Sequence, residues 1–164
     1  RVYPGGCLLE ATNLSEGRGT TRPFEIWGAP FLDGRLLAER LLAERPPVKG
    51  ALLRPLEFRP VFHKHAGQRC GGLQVHVTDA RLFRPYELYL RAIAAARLQA
   101  GEAFGWRRER YEFVSDRPAI DLLTGGPEYR QMVDRGADLA DLLQAERAGA
   151  EEFFHGRQAD LLYS

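Results

Sequence analysis

Long apolar runs are missing from this 164-residue chain: even the stretch from Leu52 to Phe62 is broken by Arg54, Glu57 and Arg59. A bilayer-crossing helix needs roughly 18 to 20 consecutive apolar residues, so the sequence offers no candidate for one. Cysteine is scarce as well, with only Cys7 and Cys70. That excludes a disulfide scaffold and leaves both a single bridge and a reduced pair open. An excess of charge is also lacking: 23 basic residues stand against 22 acidic ones, a net +1, which argues against phosphate-backbone attraction as the binding principle. Lysine is nearly absent, since only Lys49 and Lys64 occur and 21 of the 23 basic residues are arginine. Either a GC-rich genome or a use for rigid hydrogen-bonding forks accounts for that bias. G-x-S-x-G, a phosphate loop, a dinucleotide fingerprint and paired C-x-x-C motifs do not occur, which removes nucleophile-elbow acyl transfer, phosphate-loop chemistry and zinc ribbons. The opening Arg1-Val2-Tyr3-Pro4 has neither an initiator Met nor the regions of a signal peptide, and reads as the start of a processed or excised piece.

What is present is a globular composition, 45% hydrophobic and 27% charged. A chain of this length buries about two-thirds of its unfolded surface and needs no staple. Cys7 to Asn13 alternates like a short strand. Ser15 to Glu25 is a shaped loop in which Gly17 and Gly19 permit unusual backbone angles and Pro23 is able to open a helical turn. Asp33 caps a predicted helix that ends before Pro46-Pro47. Leu56 to Phe62, with Pro55 and Pro60, suits a sheet edge. From Gly72 to Asp79, Leu73, Val75 and Val77 alternate with Gln74, His76 and Thr78, the pattern of a strand with one buried face and one polar row. Pro85 starts a helix closed by Gly101, and Trp106 to Val114 reads as extended. Helices are then expected at Ala119 to Leu123, at Glu128 to Arg135, and after Asp138, the last with Leu139, Leu142, Leu143, Ala150, Phe153 and Phe154 on one stripe. Strands early and helices late predict a single α+β domain over residues 1–164: a small mixed β-sheet covered by helices, with a helix-rich C-terminal third.

Polar residues crowd most densely between Glu10 and Glu25. Asn13, Ser15, Glu16, Arg18, Thr20, Thr21 and Arg22 supply the carboxylate, amide, hydroxyl and guanidinium groups that recognise the hydroxyls of a sugar. The same residues serve equally as internal ion pairs, caps and Asx turns. Glu10, Glu16 and Glu25 are formal candidates for the paired carboxylates of glycosidic cleavage, a weak signal among fourteen glutamates. His63, His65 and Cys70 superficially offer metal ligands, but two further ligands are missing from the pattern, and solvated or hydrogen-bonded histidines are the alternative. Gln74, His76 and Thr78 face either a cleft or ordinary solvent. Arg107, Arg108 and Arg110 beside Trp106 and Tyr111 fit either polyanion binding or a solvated strand edge. Asn13-Leu14-Ser15 matches the glycosylation acceptor pattern, which arises often by chance.

The segment C-L-L-E-A-T-N-L-S-E-G-R-G-T-T-R-P-F-E from Cys7 to Glu25, the G-A-P at Gly28, G-L-Q-V-H-V-T-D at Gly72 to Asp79, F-R-P at Phe83, I-D-L-L-T-G from Ile120 and L-L-Y at Leu161 together resemble the C-terminal region of the NamZ-type exo-β-N-acetylmuramidases of bacteria. The match spans nearly the whole chain. It departs at Ala11, where the family usually has glycine, and a methyl group there narrows any close backbone approach.

The resemblance implies the smaller part of a two-part enzyme. A Rossmann-like N-terminal domain, absent from this chain, would hold the catalytic glutamate, and the substrate would lie between the domains. The implied activity is hydrolysis releasing terminal N-acetylmuramic acid from non-reducing ends of peptidoglycan fragments. Implied partners are muropeptides and the chain's own N-terminal domain, without nucleic acid, metal or cofactor. The setting implied is extracytoplasmic, periplasmic or secreted, with recycling inside the cell as the alternative. Residue by residue, Asn13, Ser15, Glu16, Arg18, Thr20, Thr21 and Arg22 match the family's signature loop, and Gln74, His76 and Thr78 its second motif, as substrate contacts; Glu10 and Glu16 remain weak catalytic candidates. An arginine fork suits the lactyl carboxylate of muramic acid. The rival reading is a non-catalytic cell-wall-binding or interdomain scaffolding module, with Glu16, Arg18 and Arg22 in structural ion pairs.

Overall fold

The structure, a computed structural model, describes residues 1–163. Three strands form one sheet in the order β1-β3-β2: β1 is Ile26–Ala29, β2 is Ala51–Phe58 and β3 is Cys70–Val77. Both pairings are antiparallel, Ile26 opposite Gln74 and Leu53 opposite Val75, so the expected mixed sheet is antiparallel throughout. Leu73 and Val75 of β3, Trp27 of β1 and Leu53 of β2 all belong to the core cluster, as alternation at a period of two requires of one sheet face. Ile26, Gln74 and His76 lie on the other face. β2 is an edge strand, which tolerates Pro55 because that residue donates no ladder hydrogen bond.

Helices cover the inner face. The α2 helix, Gly34–Ala43, begins where the Asp33 carboxylate accepts from the backbone N–H groups of Arg35 and Leu36, and it buries Leu37, Ala38 and Leu41. The α3 helix, Pro85–Ala100, starts on proline and stops at Gly101, whose φ is 54°, a left-handed angle open to glycine. It is buried nearly all round, from Leu88 to Ala96, because other elements flank it on several sides. The short α1 helix, Tyr3–Gly6, sets Gly5 directly against the Pro85 carbonyl. The α2 helix and α5, Glu128–Asp134, also pack against α3, and Trp27 of β1 meets Tyr89 of α3 with ring centroids 6.4 Å apart. Tyr129 of α5 donates its hydroxyl to the Leu90 carbonyl at 2.8 Å.

Three further sequence expectations are corrected. Cys7 to Asn13 is no strand: Cys7–Ala11 forms a 3-10 turn continuing α1, because Leu8, Leu9 and Ala11 are all wholly buried and a strand would send alternate residues to solvent. Trp106 to Val114 makes only isolated bridges, Thr12 to Trp106 and Tyr111 to Val114. Pro23 opens no helix and instead bridges to Ile26. The strand β1 carries no clear signal of its own, since four residues are too few to show a period. The α4 helix, Ala119–Leu123, and α5 lie where the sequence put them. The α6 helix, Ala140–Gly156, also stands as expected, yet its apolar stripe is buried only near its start: Leu143 is covered while Phe153 and Phe154 are exposed. Arg147 of α6 ties back to Glu87 of α3 at 2.6 Å. Among the described residues, no helix is long and apolar enough to cross a membrane.

Leu73→Ala is expected to cost about 3 kcal/mol in urea denaturation, since a wholly buried leucine leaves a cavity. Phe153→Ala, at 69% exposure, is expected to shift stability by less than about 0.5 kcal/mol.

Candidate functional site

The loop from Asn13 to Glu25 is shaped by two glycines at φ 74° and 81°, Gly17 and Gly19. A Cβ on Gly17 would collide with the Ile26 carbonyl and one on Gly19 with the backbone of Val61 and Phe62. Both are therefore constrained by conformation and by space. Ser15 is stitched to Gly28 of β1 by reciprocal backbone hydrogen bonds of 2.8 and 3.0 Å. The polar side chains are thus delivered at a fixed angle against the segment from Pro60 to Gln68, whose Val61 N–H donates to the Gly19 carbonyl at 3.0 Å.

Glu16 occupies the centre, with a side chain only 1% exposed. Its Oε1 lies 3.0 Å from Arg18 Nε and 3.1 Å from His63 Nδ1, and its Oε2 lies 3.0 Å from Lys64 Nζ. Arg18 reaches on to Glu10 Oε1 at 2.7 Å, and Glu10 Oε2 accepts from the Tyr111 hydroxyl at 3.2 Å. Lys64 also donates to the Leu9 carbonyl at 3.0 Å. Burial alone would push the Glu16 carboxyl up, but Lys64, its own backbone N–H and His63 outweigh that and hold it below its ordinary value of 4.5. Lys64 moves the other way relative to full charge: burial dominates and its ammonium sits below its ordinary value despite Glu16. The two directions agree physically, because Glu16 has Arg18, Lys64 and the His63 ring around it whereas Lys64 must meet its desolvation cost mainly from one carboxylate. The hydrogen bond from Arg18 to Glu10 raises the guanidinium further, and burial with Glu10 pushes the Tyr111 phenol to about 12.

The remaining signature residues divide. Asn13 is bonded on both ends of its amide: Nδ2 donates to the Ala103 carbonyl at 2.8 Å, and Oδ1 accepts from the Gly105 N–H at 3.0 Å. His65 Nε2 lies 2.7 Å from the Asn13 carbonyl oxygen. Ser15 Oγ accepts from the Gly17 N–H, and Thr20 Oγ1 donates to the Gly17 carbonyl at 2.6 Å. Thr21 and Arg22 face solvent; Arg22 keeps only a 3.7 Å approach to Glu25. In the second motif, Gln74 is buried and accepts from Arg54, His76 is half-buried on the same face, and Thr78 lies past the end of β3, exposed. Gln74 and His76 form a row; Thr78 does not join it. The Glu25 carbonyl accepts from the Val75 N–H at 2.9 Å, which sets β3 against the end of the loop.

An ionised, enclosed Glu16 is poorly placed to donate a proton to a leaving group. Its chemistry is structural: it gathers Arg18, His63 and Lys64 around one charge. His63 and His65, candidate metal ligands by sequence, contact Glu16 and the Asn13 carbonyl, while the Cys70 thiol is wholly buried and donates to the Gln68 carbonyl. Cys7 and Cys70 are both free thiols. Sequence reasoning missed Lys64 as the partner of Glu16; forty-eight positions of separation, with no local period, left nothing to signal it.

The family described as "Exo-beta-N-acetylmuramidase NamZ, C-terminal" matches residues 1–163. The chain is 35% identical over 162 residues to the peptidoglycan beta-N-acetylmuramidase NamZ of Bacillus subtilis, covering 99% of this chain and 37% of that protein. Two crystal structures of DUF1343 family proteins from Bacteroides fragilis share the fold. One has a TM-score of 0.82 at 22% identity, covering 99% of this chain and 41% of that one. The other has a TM-score of 0.59 at 21% identity, covering 99% and 40%.

Glu16→Gln is expected to lower stability by about 2 to 3 kcal/mol, since it leaves Lys64 buried beside a neutral amide while Arg18 and His63 retain water. The sign with pH follows from the lowered carboxyl: the wild-type contribution is complete above 4.5 and is lost as pH falls through the lower folded value. Thermal melts from pH 7 to pH 3 should therefore converge for the two proteins at the acid end.

Proposed function

The chain belongs to the NamZ exo-β-N-acetylmuramidase C-terminal family, and from that premise we propose that it forms the C-terminal domain of a bacterial peptidoglycan glycosidase. The glycosidase would release N-acetylmuramic acid from non-reducing ends. The observation that carries this reading is the 35% identity, across 99% of the chain, to a peptidoglycan β-N-acetylmuramidase. The chain spans 37% of that relative, so the reading includes a second, N-terminal domain that brings the catalytic acid. This chain contributes one wall of the cleft to muropeptide fragments, at an extracytoplasmic site.

Within that reading, the residues of the loop divide by their internal bonding. Arg18 is held between Glu10 and Glu16, and Asn13, Ser15, Glu16 and Thr20 all make internal bonds. They act as a brace, the role the scaffolding alternative gives them. Arg22 and Thr21 are the members of the loop open to a ligand. The brace and the wall are compatible, since a site needs its supporting shell fixed before its contacts are useful.

Release of N-acetylmuramic acid from a disaccharide substrate is to be measured with this chain alone and with the chain joined to its N-terminal domain. Turnover is expected only from the joined protein, and turnover by the isolated chain would overturn the division of labour. In the joined protein, Arg22→Ala is expected to raise KM with the melting temperature unchanged. Arg18→Ala is expected to lower the melting temperature itself.

A further inference from the structure

A pocket of about 410 Å³ opens beside the signature loop, with Trp106, Arg107, Arg108, Arg117, Arg130 and Asp134 among its lining. Its volume lies within the roughly 300 to 1,000 Å³ typical of small-molecule sites. The loop does not line the pocket but supports the backbone that carries Trp106 and Arg107. Asn13 grips Gly105 through its amide, the Asn13 N–H donates to the Gly105 carbonyl at 2.8 Å, and the Arg107 N–H donates to the Ala11 carbonyl at 2.8 Å. Asn13 is thus a positioning residue for Trp106 and Arg107.

Two walls of the pocket are rigid. The Trp106 indole N–H donates to Asp134 Oδ1 at 2.8 Å, and its ring meets Phe104 edge-on at 4.9 Å. Arg130 is clamped by Asp121 through two hydrogen bonds of 2.7 Å. Arg107 donates to the Arg110 carbonyl at 3.1 Å and lies over the Tyr111 ring at 5.4 Å, so the guanidiniums with the loosest hold are Arg108 and Arg117. Arg107 and Arg117 come no nearer to a carboxylate than 3.9 Å, to Glu109 and Asp116 respectively, and Arg108 is exposed at the rim. With Arg130 neutralised by Asp121, the lining sets Arg107, Arg108 and Arg117 against Asp116 and Asp134, a net charge of +1, and arginine forks hold a carboxylate by charge-assisted hydrogen bonds. Asp134, Asp116 and the Ser115 hydroxyl meet hydroxyl groups, while the indole supplies a flat apolar wall of the kind a sugar ring packs on. A long polyanion fits less well, since Glu109, Glu112 and Asp116 are exposed around the same segment.

We propose that this pocket, rather than Arg18, binds the carboxylate of a carboxylated amino sugar, with Arg108 and Arg117 as its anchors and Trp106 beneath the ring. This rests on the muramidase reading for the choice of sugar. The carboxylate has two possible origins, the lactyl group of muramic acid itself or the end of a peptide attached to it.

The chain has only two tryptophans, Trp27 and Trp106, and Trp27 is buried in the core, so its indole N–H resonance is an internal control for that of Trp106. Titration with N-acetylmuramic acid, followed by proton–nitrogen NMR, is expected to move the Trp106 signal and leave the Trp27 signal in place. Its methyl ester and N-acetylglucosamine are expected to bind at least about tenfold more weakly, as is expected of the Arg108→Ala/Arg117→Ala double variant, because each loses charged hydrogen bonds. Arg108→Lys/Arg117→Lys should recover part of the loss. N-acetylmuramoyl-L-alanine separates the two origins: weaker binding than the parent sugar assigns the site to the lactyl group, and tighter binding to a peptide end. Equal binding of acid and ester, or wild-type affinity in the alanine double variant, overturns the proposal. The muramidase reading fails separately: if the joined protein releases no muramic acid while the Trp106 titration persists, the pocket stands without it. An unchanged KM in the active double variant removes the pocket alone.

Discussion

A single carboxylate that cannot leave its place organises the region on which function rests. Glu16 is enclosed at 1% exposure, and an unpaired charge there would be prohibitive. Arg18, His63 and Lys64 must therefore converge on it, which fixes the loop carrying Arg18 and the separate segment carrying the other two. Because Arg18 also holds Glu10, and Glu10 holds Tyr111, the constraint passes from the N-terminal turn to the segment after Trp106. Three stretches of chain distant in sequence, residues 10–18, 63–64 and Tyr111, are referred to one another through two carboxylates.

This arrangement explains why so polar a loop is so little exposed. Sugar-binding loops and ion-paired braces draw on the same residue types, and composition does not separate them. Burial does. Asn13, Ser15 and Thr20 each satisfy a backbone group next to a glycine or a chain reversal, which is where unpaired backbone groups would otherwise arise. Arg22 and Thr21, one turn further along, have no such duty and face outward. The brace and the surface it presents are consecutive residues of one loop.

Much of the architecture was legible in the sequence because its signals are local. Asp33, Pro85 and Gly101 mark helix ends by capping and backbone chemistry, and α2 and α3 begin and end where these residues put them. Leu73 and Val75 alternate in the one strand that is paired on both sides. The failures came where tertiary burial overrode local pattern. Cys7 to Asn13 alternates on paper but curls into a turn because Leu8 and Leu9 both go inward. Trp106 to Val114 carries an extended pattern, yet Trp106 bridges only Thr12 and Tyr111 bridges only Val114 within the same segment. In the site, the residue types of the loop were readable and their bonding was not, since Lys64, Gly105 and Tyr111 reach it through long-range contacts with no periodic trace.

The near-absence of lysine has a consequence for chemical labelling. Of the two lysines, Lys49 is exposed, whereas Lys64 has a side chain only 20% exposed and is pinned between Glu16 and the Leu9 carbonyl. An amine-directed reagent meets one ready side chain in the folded protein and two once the brace opens. The mass of the labelled chain thus records, in whole adducts, whether the loop and its supporting segment are still joined.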